Sequence, residues 1–357
     1  MPQPSQELNE NKFEELQTKV MGDVAGSMGL LMAYIGDRLN LYKTLAKLGV
    51  ATSEKLAEST ELEERYVLEW LSANASAGYV NYDSDSSSFS MSPEQTVIFA
   101  QEGHPACMQG FFQAVFSTYL DESKVTDVFR SGRGLPWSDH HSCLFCGTER
   151  FFRPLYAANL IENWLPSLEG TVAKLESGGK VADVGCGHGS STILMAKAFP
   201  NSTFHGFDFH QPSIEHARSR AEDAGVANNT VFEVVAAKEF PGTEYDLVTI
   251  FDALHDMGDP VGASSHILSS LKDDGSFMVV EPAAGDSLED NLHPLGLIYY
   301  AFSTMICTPA SRAQEIGLAL GAQAGEKRLS DVLRQGGFTR IRRASETPTN
   351  MVLEARP

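Results

Sequence analysis

The sequence has few basic residues for its length. It contains 27 Lys and Arg against 47 Asp and Glu in 357 residues, a formal net charge of −20. Binding to nucleic-acid phosphates depends on positive charge, so this balance argues against a DNA- or RNA-binding protein. Hydrophobic residues make up 42% and charged residues 21%. These values are ordinary for a folded globular protein, and the length suits two domains or one large one.

Cysteines are also few, and the sequence has no long apolar run. Five cysteines is an odd number in a long chain, which argues against a disulfide framework and favours a reducing compartment. The first segment, MPQPSQELNENKFEELQ, has no basic region followed by an apolar one, and no stretch of about 18 apolar residues occurs. We therefore expect a soluble, cytoplasmic protein that has no membrane partner.

The N-terminal half is predicted to be helical, with a winged helix inside it. Residues 1–12 are polar and are expected to form a disordered tail, followed by a helical domain over 13–169. A short helix over 53–59, a longer helix over 63–77 and two short strands within 79–91 follow one another in the order of a winged helix.

This winged helix has two interpretations, DNA binding or a module for dimerisation and for covering a partner domain. Residues 20–100 contain five basic and eleven acidic residues, a balance of −6. The helix that would read DNA carries one arginine against three glutamates: Arg65, Glu63, Glu64 and Glu69. Such a helix would repel phosphates, which favours the dimerisation and cover module.

The C-terminal half changes to short β-rich runs that alternate with helices. The runs are KVADVG, TFHGFD, TVFEVV, YDLVTIF and SFMVVE, and this alternation predicts an α/β domain with a doubly wound parallel sheet. We place this domain over 170–357, with a longer insertion over 282–327 and two closing strands, FTRIRR and MVLEA.

The first strand of this domain ends in a glycine-rich turn. Gly185, Gly187 and Gly189 stand at alternate positions before a helix, where they allow a tight turn and close approach of a ligand to free N–H groups. Asp183 lies two residues before the turn, and Asp208 closes the second strand. An acid at that point can bind both hydroxyls of a ribose. The combination predicts a nucleoside site at the carboxyl edge of the sheet.

The GxGxG spacing with an acid just upstream resembles motif I of class I S-adenosylmethionine (SAM) dependent methyltransferases. The resemblance covers 180–357 and implies a seven-stranded, Rossmann-like sheet with a reversed closing hairpin, and SAM as the cofactor. It also implies that the glycine turn lies at the methionine part of SAM, that Asp183 belongs to the cofactor site, that Asp208 binds the ribose and that Phe209 lies beside adenine.

The remaining cofactor positions follow from the same resemblance. The stretch after the third strand, which contacts adenine in the family, contains Ala237 and Lys238 here, and Phe251 at the end of the fourth strand is assigned to the cofactor site as well. This stretch lacks the acid or amide that is common in the family. Main-chain groups and packing are therefore expected to hold adenine.

The fourth strand is followed by an LHD motif. A winged helix before a SAM domain with LHD at this place resembles plant-type small-molecule O-methyltransferases, which implies that His255 is the general base and that Glu281 orients it. An imidazole with a pKa near 6.5 suits removal of a proton from a hydroxyl or an ammonium group. The alternative is a histidine that caps the next helix or binds SAM. Asp252 and Asp256 are further candidates in the same loop.

Nearly the whole chain also resembles a bacterial and mycobacterial family of winged-helix proteins with a SAM domain, labelled transcriptional regulators or methyltransferases of unknown substrate. The matching stretches include GDRLNLYKTLA, ERYVLEWL, HHSCLFCGTERFFRP, FDALHDMGDP and ETPTNMVLEARP. The resemblance does not supply a substrate.

Two clusters outside the motifs are candidates for substrate contact. His140, His141, Cys143 and Cys146 form HHxCxxC, which has residue types for zinc, but four ligands so close together leave little chain to close a tetrahedral site. We expect no metal, and histidines that face the substrate pocket or pair with Glu149. In the insertion, Tyr299 and Tyr300 are expected to line the pocket, or else to pack a helix on the winged helix.

Together these observations predict a SAM-dependent methyltransferase. It would transfer a methyl group to O, N, S or Se of a small molecule, without nucleic acid or membrane as a partner, and would form a homodimer through its N-terminal helices. The alternatives are a SAM-responsive winged-helix transcriptional regulator and a SAM-fold protein without catalysis.

Overall fold

A computed structural model describes residues 8–357. It divides into two compact units, the first ending at Phe116 and the second running over Ser117–Pro357. Of the expected tail over 1–12, residues 1–7 lie outside the described residues. The first helix begins at Glu10, so residues 10–12 of the predicted tail are helical.

The first unit contains a winged helix, as predicted. Its helices are α1 (Glu10–Arg38), α2 (Leu41–Leu48), α3 (Ser53–Thr60), α4 (Glu64–Ser76) and α5 (Pro93–Phe99), and α6 (Gln109–Leu120) runs across the boundary between the units. Three antiparallel strands lie in the order β1 (Val50–Ala51), β3 (Ser88–Ser90), β2 (Asn81–Asp83). The strand β1 was not predicted, because two residues carry no alternation pattern.

Helix α1 leaves an apolar stripe exposed along its first half. Only its last turns are buried, around Ala33 and Tyr34. The stripe, called the α1 stripe below, consists of side chains between 48% and 62% exposed: Phe13, Leu16, Val20, Met21, Val24 and Met28. Apart from the adjacent Val20 and Met21, neighbouring members are three or four residues apart, which places them along one side of the helix.

The second unit begins with helices that precede the sheet. These are α7 (Glu122–Ser131), α8 (Ser142–Asn159), a π-helical turn (Leu160–Trp164) and α9 (Thr171–Ser177). They lie in the same compact unit as the sheet. The sequence-based boundary at residue 169 therefore marks a change of secondary structure, and as a domain boundary it stays a prediction.

The sheet of the second unit has seven strands in the order β6-β5-β4-β7-β8-β10-β9. Its strands are β4 (Lys180–Val184), β5 (Thr203–Asp208), β6 (Thr230–Val234), β7 (Tyr245–Phe251), β8 (Leu271–Pro282), β9 (Arg340–Glu346) and β10 (Asn350–Arg356). The strands β4 to β8 are parallel, and β10 runs antiparallel to β8 and β9. The predicted α/β fold with a reversed closing hairpin is confirmed.

Helices cover both faces of this sheet. α10 (Ser190–Ala198) and α11 (Gln211–Asp223) pack on one face, and α12 (Pro260–Ser270) and α15 (Gly325–Gln335) pack on the other. The insertion contains α13 (Pro294–Phe302) and α14 (Thr308–Arg312). Successive residues of β4 alternate between two cores, with Val181 in one and Ala182 in the other. Burial on both faces holds the carboxyl ends of β4, β5 and β7 at one edge. Within 8–357, no helix is long and apolar enough to cross a membrane.

Candidate active site

The glycine turn after β4 has the left-handed backbone that its glycines allow. The φ angles of Gly185, Gly187 and Gly189 are 72°, 52° and 75°. A Cβ on Gly189 would lie 2.9 Å from the ring of Phe232. Gly189 directly precedes α10, so the turn brings the chain onto the amino end of that helix. A side chain at Gly189 would both strain the backbone and displace Phe232.

Asp183 lies beneath this turn and binds hydroxyl groups. Its Oδ2 accepts hydrogen bonds from Ser191 and Thr192, each at 2.6 Å, and its Oδ1 accepts one from Thr249 at 3.0 Å. Burial raises the pKa of Asp183. Its side chain is not among the residues that line the cavity described below. The structure thus gives Asp183 a supporting position under the turn, and its contact with the cofactor stays a prediction.

Asp208 ends β5 opposite the glycine turn. Its Oδ2 accepts a hydrogen bond from the backbone N–H of Gly187 at 2.9 Å, and its Oδ1 accepts one from the backbone N–H of His210 at 2.8 Å. Burial raises the pKa of Asp208, against the effect of these two donors. Phe209 follows it and is 52% exposed. The turn and Asp208 therefore form one rigid edge.

A cavity of about 470 Å³ opens at this edge. Its walls contain most of the predicted cofactor residues: Gly185, Gly187, Asp208, Phe209, Ala237 and Phe251. Gly189 and Lys238 are not in its walls; the Lys238 ammonium lies 3.0 Å from Asp259 and 3.1 Å from Glu315. Aromatic side chains that the sequence did not single out complete the cavity: Trp137, Phe145, Phe152 and Tyr156.

Glu149 of α8 is a further wall residue that sequence reasoning gave no binding role. Its Oε1 accepts hydrogen bonds from Arg220 at 2.7 Å and from Ser190 at 2.8 Å. Arg220 also donates to the carbonyl oxygen of His188. This network joins α8 to the glycine turn. Of the two expected roles of the HHxCxxC histidines, pairing with Glu149 is not observed, since the partners of Glu149 are Arg220 and Ser190.

His255 and Glu281, 26 residues apart, meet after the fourth strand of the parallel set. His255 lies in a 3-10 turn (Leu254–Asp256) that follows β7, and Glu281 lies near the end of β8. The Glu281 carboxylate accepts from the backbone N–H groups of Leu254 at 2.9 Å and His255 at 3.3 Å, and it pairs with Nδ1 of the His255 ring. Glu281 therefore orients both the loop and the imidazole.

The other ring nitrogen of His255 points at a second carboxylate. Its Nε2 lies 3.3 Å from Oδ1 of Asp256, without the alignment of a hydrogen bond. Burial lowers the pKa of His255, but the charges of Glu281 and Asp256 outweigh it and raise this pKa well above 6.5. The two carboxylates therefore favour the protonated form of the ring, and a protonated ring cannot accept a further proton.

Asp256 stands between His255 and the cavity. It lines the cavity, whereas His255 is 5% exposed and does not. Burial raises the pKa of Asp256, and its Oδ1 has no hydrogen-bond partner among the described residues. Asp256 is thus the member of this group that can meet a ligand.

Cys307, from a π-helical turn after α13, completes the group. Potential ligand atoms of His255, Asp256 and Cys307 lie within 4.8 Å of one another. Burial raises the pKa of Cys307 to about 12. A neutral thiol beside an imidazolium offers a metal ion no ready ligands, because metals bind thiolate and neutral imidazole. The expectation of no metal remains a prediction. A lone cysteine in the insertion gave no sequence signal for this position.

Asp252 is the second acid of the loop in the cavity wall. Its backbone is left-handed, with φ at 49°. Its carboxylate accepts hydrogen bonds from the hydroxyl of Tyr156 at 3.0 Å and from the amide of Asn350 at 2.7 Å. Burial, with the charge of Glu281, raises the pKa of Asp252 to about 7. Tyr156 and Asn350 lie about 100 residues from Asp252 on either side, which no local pattern reveals.

The predicted substrate histidines lie outside the cavity wall. Nδ1 of His140 lies 3.1 Å from a carboxylate oxygen of Asp121, and His140 is buried. His141 caps α8, where its Nδ1 accepts a hydrogen bond from the backbone N–H of Cys143 at 3.1 Å. Neither ring belongs to the residues that line the cavity. The carboxylate partner of His140 is therefore Asp121, not Glu149.

The predicted tyrosines of the insertion also lie elsewhere. The hydroxyl of Tyr299 donates to the carbonyl oxygen of Thr349 at 2.9 Å. Tyr300 lines a separate, more polar cavity with Lys327 and Arg328. Neither tyrosine lines the main cavity, and their role as substrate contacts stays a prediction.

Two family models match the chain. Residues 175–327 match a methyltransferase domain, and residues 26–101 match an Rv2258c-like winged HTH domain. The first covers the sheet edge with the glycine turn, Asp208 and the LHD loop. The second covers the predicted winged helix.

Curated relatives match over shorter stretches. The 27-O-demethylrifamycin SV methyltransferase of Amycolatopsis mediterranei (strain S699) is 34% identical over 87 residues, which is 24% of this chain and 32% of the relative. A tRNA (guanine-N(7)-)-methyltransferase of Halorhodospira halophila (strain DSM 244 / SL1) is 27% identical over 152 residues, 42% of this chain and 59% of the relative. The chain thus spans about a third of the first relative and about three fifths of the second.

Solved structures match over nearly the full length. The mitomycin 7-O-methyltransferase MmcR has a TM-score of 0.71 at 16% identity, covering 98% of this chain and 100% of its own. Human N-acetylserotonin methyltransferase in complex with SAM also has a TM-score of 0.71, at 15% identity, covering 100% of this chain and 99% of its own. At these identities the likeness concerns the fold.

Proposed function

Because this chain combines a methyltransferase domain with an Rv2258c-like winged HTH domain, we propose that it is a SAM-dependent methyltransferase of small molecules. The observation that carries the proposal is the single cavity in which the glycine turn and Asp208 share walls with Asp252 and Asp256. A nucleoside cofactor and a proton-accepting group would thus meet in one space.

The walls fit SAM by the chemistry of their donors and acceptors. Each oxygen of Asp208 accepts one backbone hydrogen bond, which leaves lone pairs for two ribose hydroxyls. Phe209 and Ala237 offer apolar contact to adenine, and the glycine turn leaves room for the methionine part. Bound SAM supplies an electrophilic methyl group on a positively charged sulfur, and acidic walls suit that charge.

The acceptor would lose its proton to Asp256. This carboxylate lines the cavity, and burial keeps its pKa raised, which makes it a stronger base. His255 and Glu281 are positioning residues in this proposal, since the cationic ring fixes Asp256 and Glu281 fixes the ring. In this proposal Asp256 accepts the proton of the methyl acceptor, whereas the sequence led us to expect His255 in that role. A thiol or selenol acceptor needs this help less, because it is partly ionised at neutral pH.

Titration calorimetry with SAM and S-adenosylhomocysteine tests the cofactor. We expect binding by the full chain, loss of binding in Asp208→Ala, and unchanged binding in the control Asp223→Ala, which removes an exposed acid at the end of α11. A SAM-consumption screen over small phenols, amines, thiols and selenide, with mass spectrometry of the product, then tests the reaction. The absence of SAM binding, or intact binding in Asp208→Ala, would overturn the proposal.

We further propose that two copies pair through the α1 stripe. Six large apolar side chains exposed along one helix favour burial against another surface, and a second copy presents the same stripe. Light scattering after gel filtration should give a dimer for the native chain and a monomer for Leu16→Glu with Val20→Glu. Thr18→Glu, a change of an exposed polar residue on the same helix, should leave the dimer intact.

We propose that the protein works in the cytoplasm and without nucleic acid. All five cysteines are free, which suits a reducing compartment. Arg65 of α4, its only basic residue, lies in an ion pair with Glu69, which leaves little positive charge for phosphates. A gel shift whose affinity falls with added salt would instead favour the regulator.

A further inference from the structure

One part of the cavity wall combines aromatic rings with acids: Trp137, Phe145, Phe152, Tyr156, Asp252 and Asp256. None of these residues was assigned to the cofactor, and we call this part of the wall the acceptor end. We propose that the methyl acceptor is an apolar, aromatic amine, which binds at the acceptor end as its ammonium form and is methylated on nitrogen. The inference rests on the proposed function and specifies the chemical class of its substrate.

Aromatic rings contact one another along the acceptor end. The ring centroids of Trp137 and Phe145 lie 5.4 Å apart, and those of Phe152 and Tyr156 lie 5.6 Å apart in a stacked arrangement. Tyr156 also contacts Phe251 at 5.2 Å, which joins these rings to the cofactor part of the wall. Such a surface favours an apolar, aromatic ligand, and the faces of the rings attract a cation.

The described residues that line the cavity include no lysine or arginine. His188 is the one histidine in that set, and burial lowers its pKa to about 4, so it is neutral at pH 7. An anionic ligand would therefore find no cationic side chain in these walls. Glu149 of the same wall is already in an ion pair with Arg220, which leaves Asp252 and Asp256 to meet a cation.

Asp256 offers an unused hydrogen-bond acceptor to such a cation. Its Oδ1 is buried and has no hydrogen-bond partner in the part of the chain that the structure describes. An ammonium group carries several N–H donors and can supply the missing one. Asp256 and Glu281 flank the single ring of His255, so this group keeps a net negative charge even when the ring is protonated.

Asp252 adds a second carboxylate whose partners are neutral. Its oxygens accept hydrogen bonds from the hydroxyl of Tyr156 and the amide of Asn350. Burial raises the pKa of Asp252 to about 7, so about half of these groups are ionised at pH 7. A cation nearby favours the ionised form, and the acceptor end therefore becomes more negative when an ammonium ion binds.

The direction in which charge moves separates an amine from a phenol. Transfer of a methyl group from a sulfonium to a neutral amine moves the positive charge to nitrogen, where the same carboxylates still stabilise it. A phenol must first become a phenolate, and Asp252 and Asp256 repel that negative charge. The acceptor end therefore stabilises the transition state for an amine and opposes the formation of a phenolate.

The step balances in atoms and electrons. One N–H bond of the bound ammonium breaks, its electron pair stays on nitrogen, and the proton passes to Asp256. That pair then forms the bond to the methyl carbon, while the pair of the broken carbon–sulfur bond stays on sulfur. The products are S-adenosylhomocysteine and a methylated ammonium ion, and Asp256 loses its proton to solvent before the next turnover.

Matched compounds test the charge preference without turnover. 2-Phenylethylamine, 2-phenylethanol and phenylacetate differ in the charge of their end group, as do the corresponding 1-naphthyl compounds. Calorimetry and NMR saturation transfer measure their affinity for the full chain saturated with S-adenosylhomocysteine. We expect an amine to bind at least about tenfold more tightly than its alcohol, and the acids not to bind. Tighter binding of an alcohol or an acid contradicts the inference, and so does failure of both amines to bind.

Asp252→Asn and Asp256→Asn test the source of this preference, since each removes a charge and keeps the shape. Either change should lower the ratio of amine affinity to alcohol affinity about tenfold. The control Asp223→Asn removes an exposed acid at the end of α11 and should keep the native ratio. A native ratio in both test variants refutes the role of these carboxylates, and one variant decides if the other does not fold.

Product analysis tests the reaction. The full chain is incubated with SAM and with arylalkylamines and phenols, and fragment mass spectrometry locates the new methyl group. We expect methylation of nitrogen and faster consumption of SAM with amines than with phenols. Methylation of phenols alone, or of no amine by a chain that binds SAM, refutes the inference. Failure to bind SAM refutes the proposed function instead, and the matched compounds still measure the charge preference of the cavity.

Discussion

Glu281 holds His255 by its backbone and by its ring at once. One carboxylate oxygen accepts the backbone N–H of His255 at 3.3 Å, and the other pairs with Nδ1. Glu281 is 1% exposed and His255 5%. The loop and the imidazole therefore cannot move independently, and a change at Glu281 alters position and charge together.

Replacing Glu281 by Gln should lower turnover more than cofactor affinity. The ring loses its anionic partner, and we expect kcat to fall about 10²-fold. SAM affinity should stay within about twofold, since Glu281 is not in the cavity wall. Kinetics and calorimetry on Glu281→Gln measure both, with the exposed Glu239→Gln as a control. A large loss of SAM affinity with normal kcat would contradict the positioning role.

The same variant should change the pH dependence of stability. The folded-state pKa of His255 is raised, so its pairing stabilises the fold below pH 6.5, and this stabilisation is lost as pH rises through the raised pKa. The difference in free energy of unfolding between the native chain and Glu281→Gln should therefore be larger at pH 6 than at pH 10. Urea unfolding at the two pH values measures it, and a constant difference would contradict the pairing.

Replacing Asp252 by Asn should stabilise the protein at alkaline pH. Burial raises its pKa from 3.8 to about 7, so folding favours the protonated form, and this contribution is lost as pH rises from 3.8 through 7. The full difference corresponds to about 4 kcal/mol. An amide can still bind Asn350 and Tyr156. Urea unfolding should show that the free energy of unfolding of the variant, relative to the native chain, is higher at pH 8 than at pH 5. The same difference at both pH values would refute the raised pKa of Asp252.

Replacing Gly189 by Ala should lower the stability of the fold more than replacing Gly225 by Ala. Both glycines are left-handed, with φ at 75° and 73°, but a Cβ on Gly189 meets Phe232 whereas one on Gly225 meets open space. The backbone alone costs about 1–2 kcal/mol. We expect Gly189→Ala to lose more stability than this backbone cost and to bind SAM more weakly. We expect Gly225→Ala to bind SAM as the native chain does. Thermal unfolding and calorimetry compare the two, and equal effects would remove the role of Phe232.

Chelation should leave the enzyme intact. The group of His255, Asp256 and Cys307 contains an imidazolium and a neutral thiol, so we expect no loss of SAM binding or turnover after dialysis against EDTA. Elemental analysis and a search for a thiolate absorption band with added Co²⁺ check the same point. Activity restored only by a divalent ion, together with such a band that disappears in Cys307→Ser, would contradict it.

Local patterns were enough to predict the α/β fold and the cofactor edge. Alternating strands and helices, the spacing of Gly185, Gly187 and Gly189, and Asp208 at the end of the next strand are all short-range features. Parallel strands bring their carboxyl ends to one edge, so residues at those ends meet without further information. The pair of His255 and Glu281 was expected from the resemblance to plant-type O-methyltransferases, and the two residues meet because each lies at or just beyond a strand end.

The tertiary structure alone decided which of these groups faces the cavity and which carries a proton. Asp121 reaches His140 from the segment before α7, and Cys307 reaches His255 from the insertion. From the sequence, His255 was expected to be the general base and His140 to contact the substrate. Glu281 and Asp256 raise the pKa of His255 against the effect of its burial, whereas burial lowers the pKa of His140 despite Asp121, because the charge of an imidazole depends on its surroundings in space and not on its neighbours in the chain.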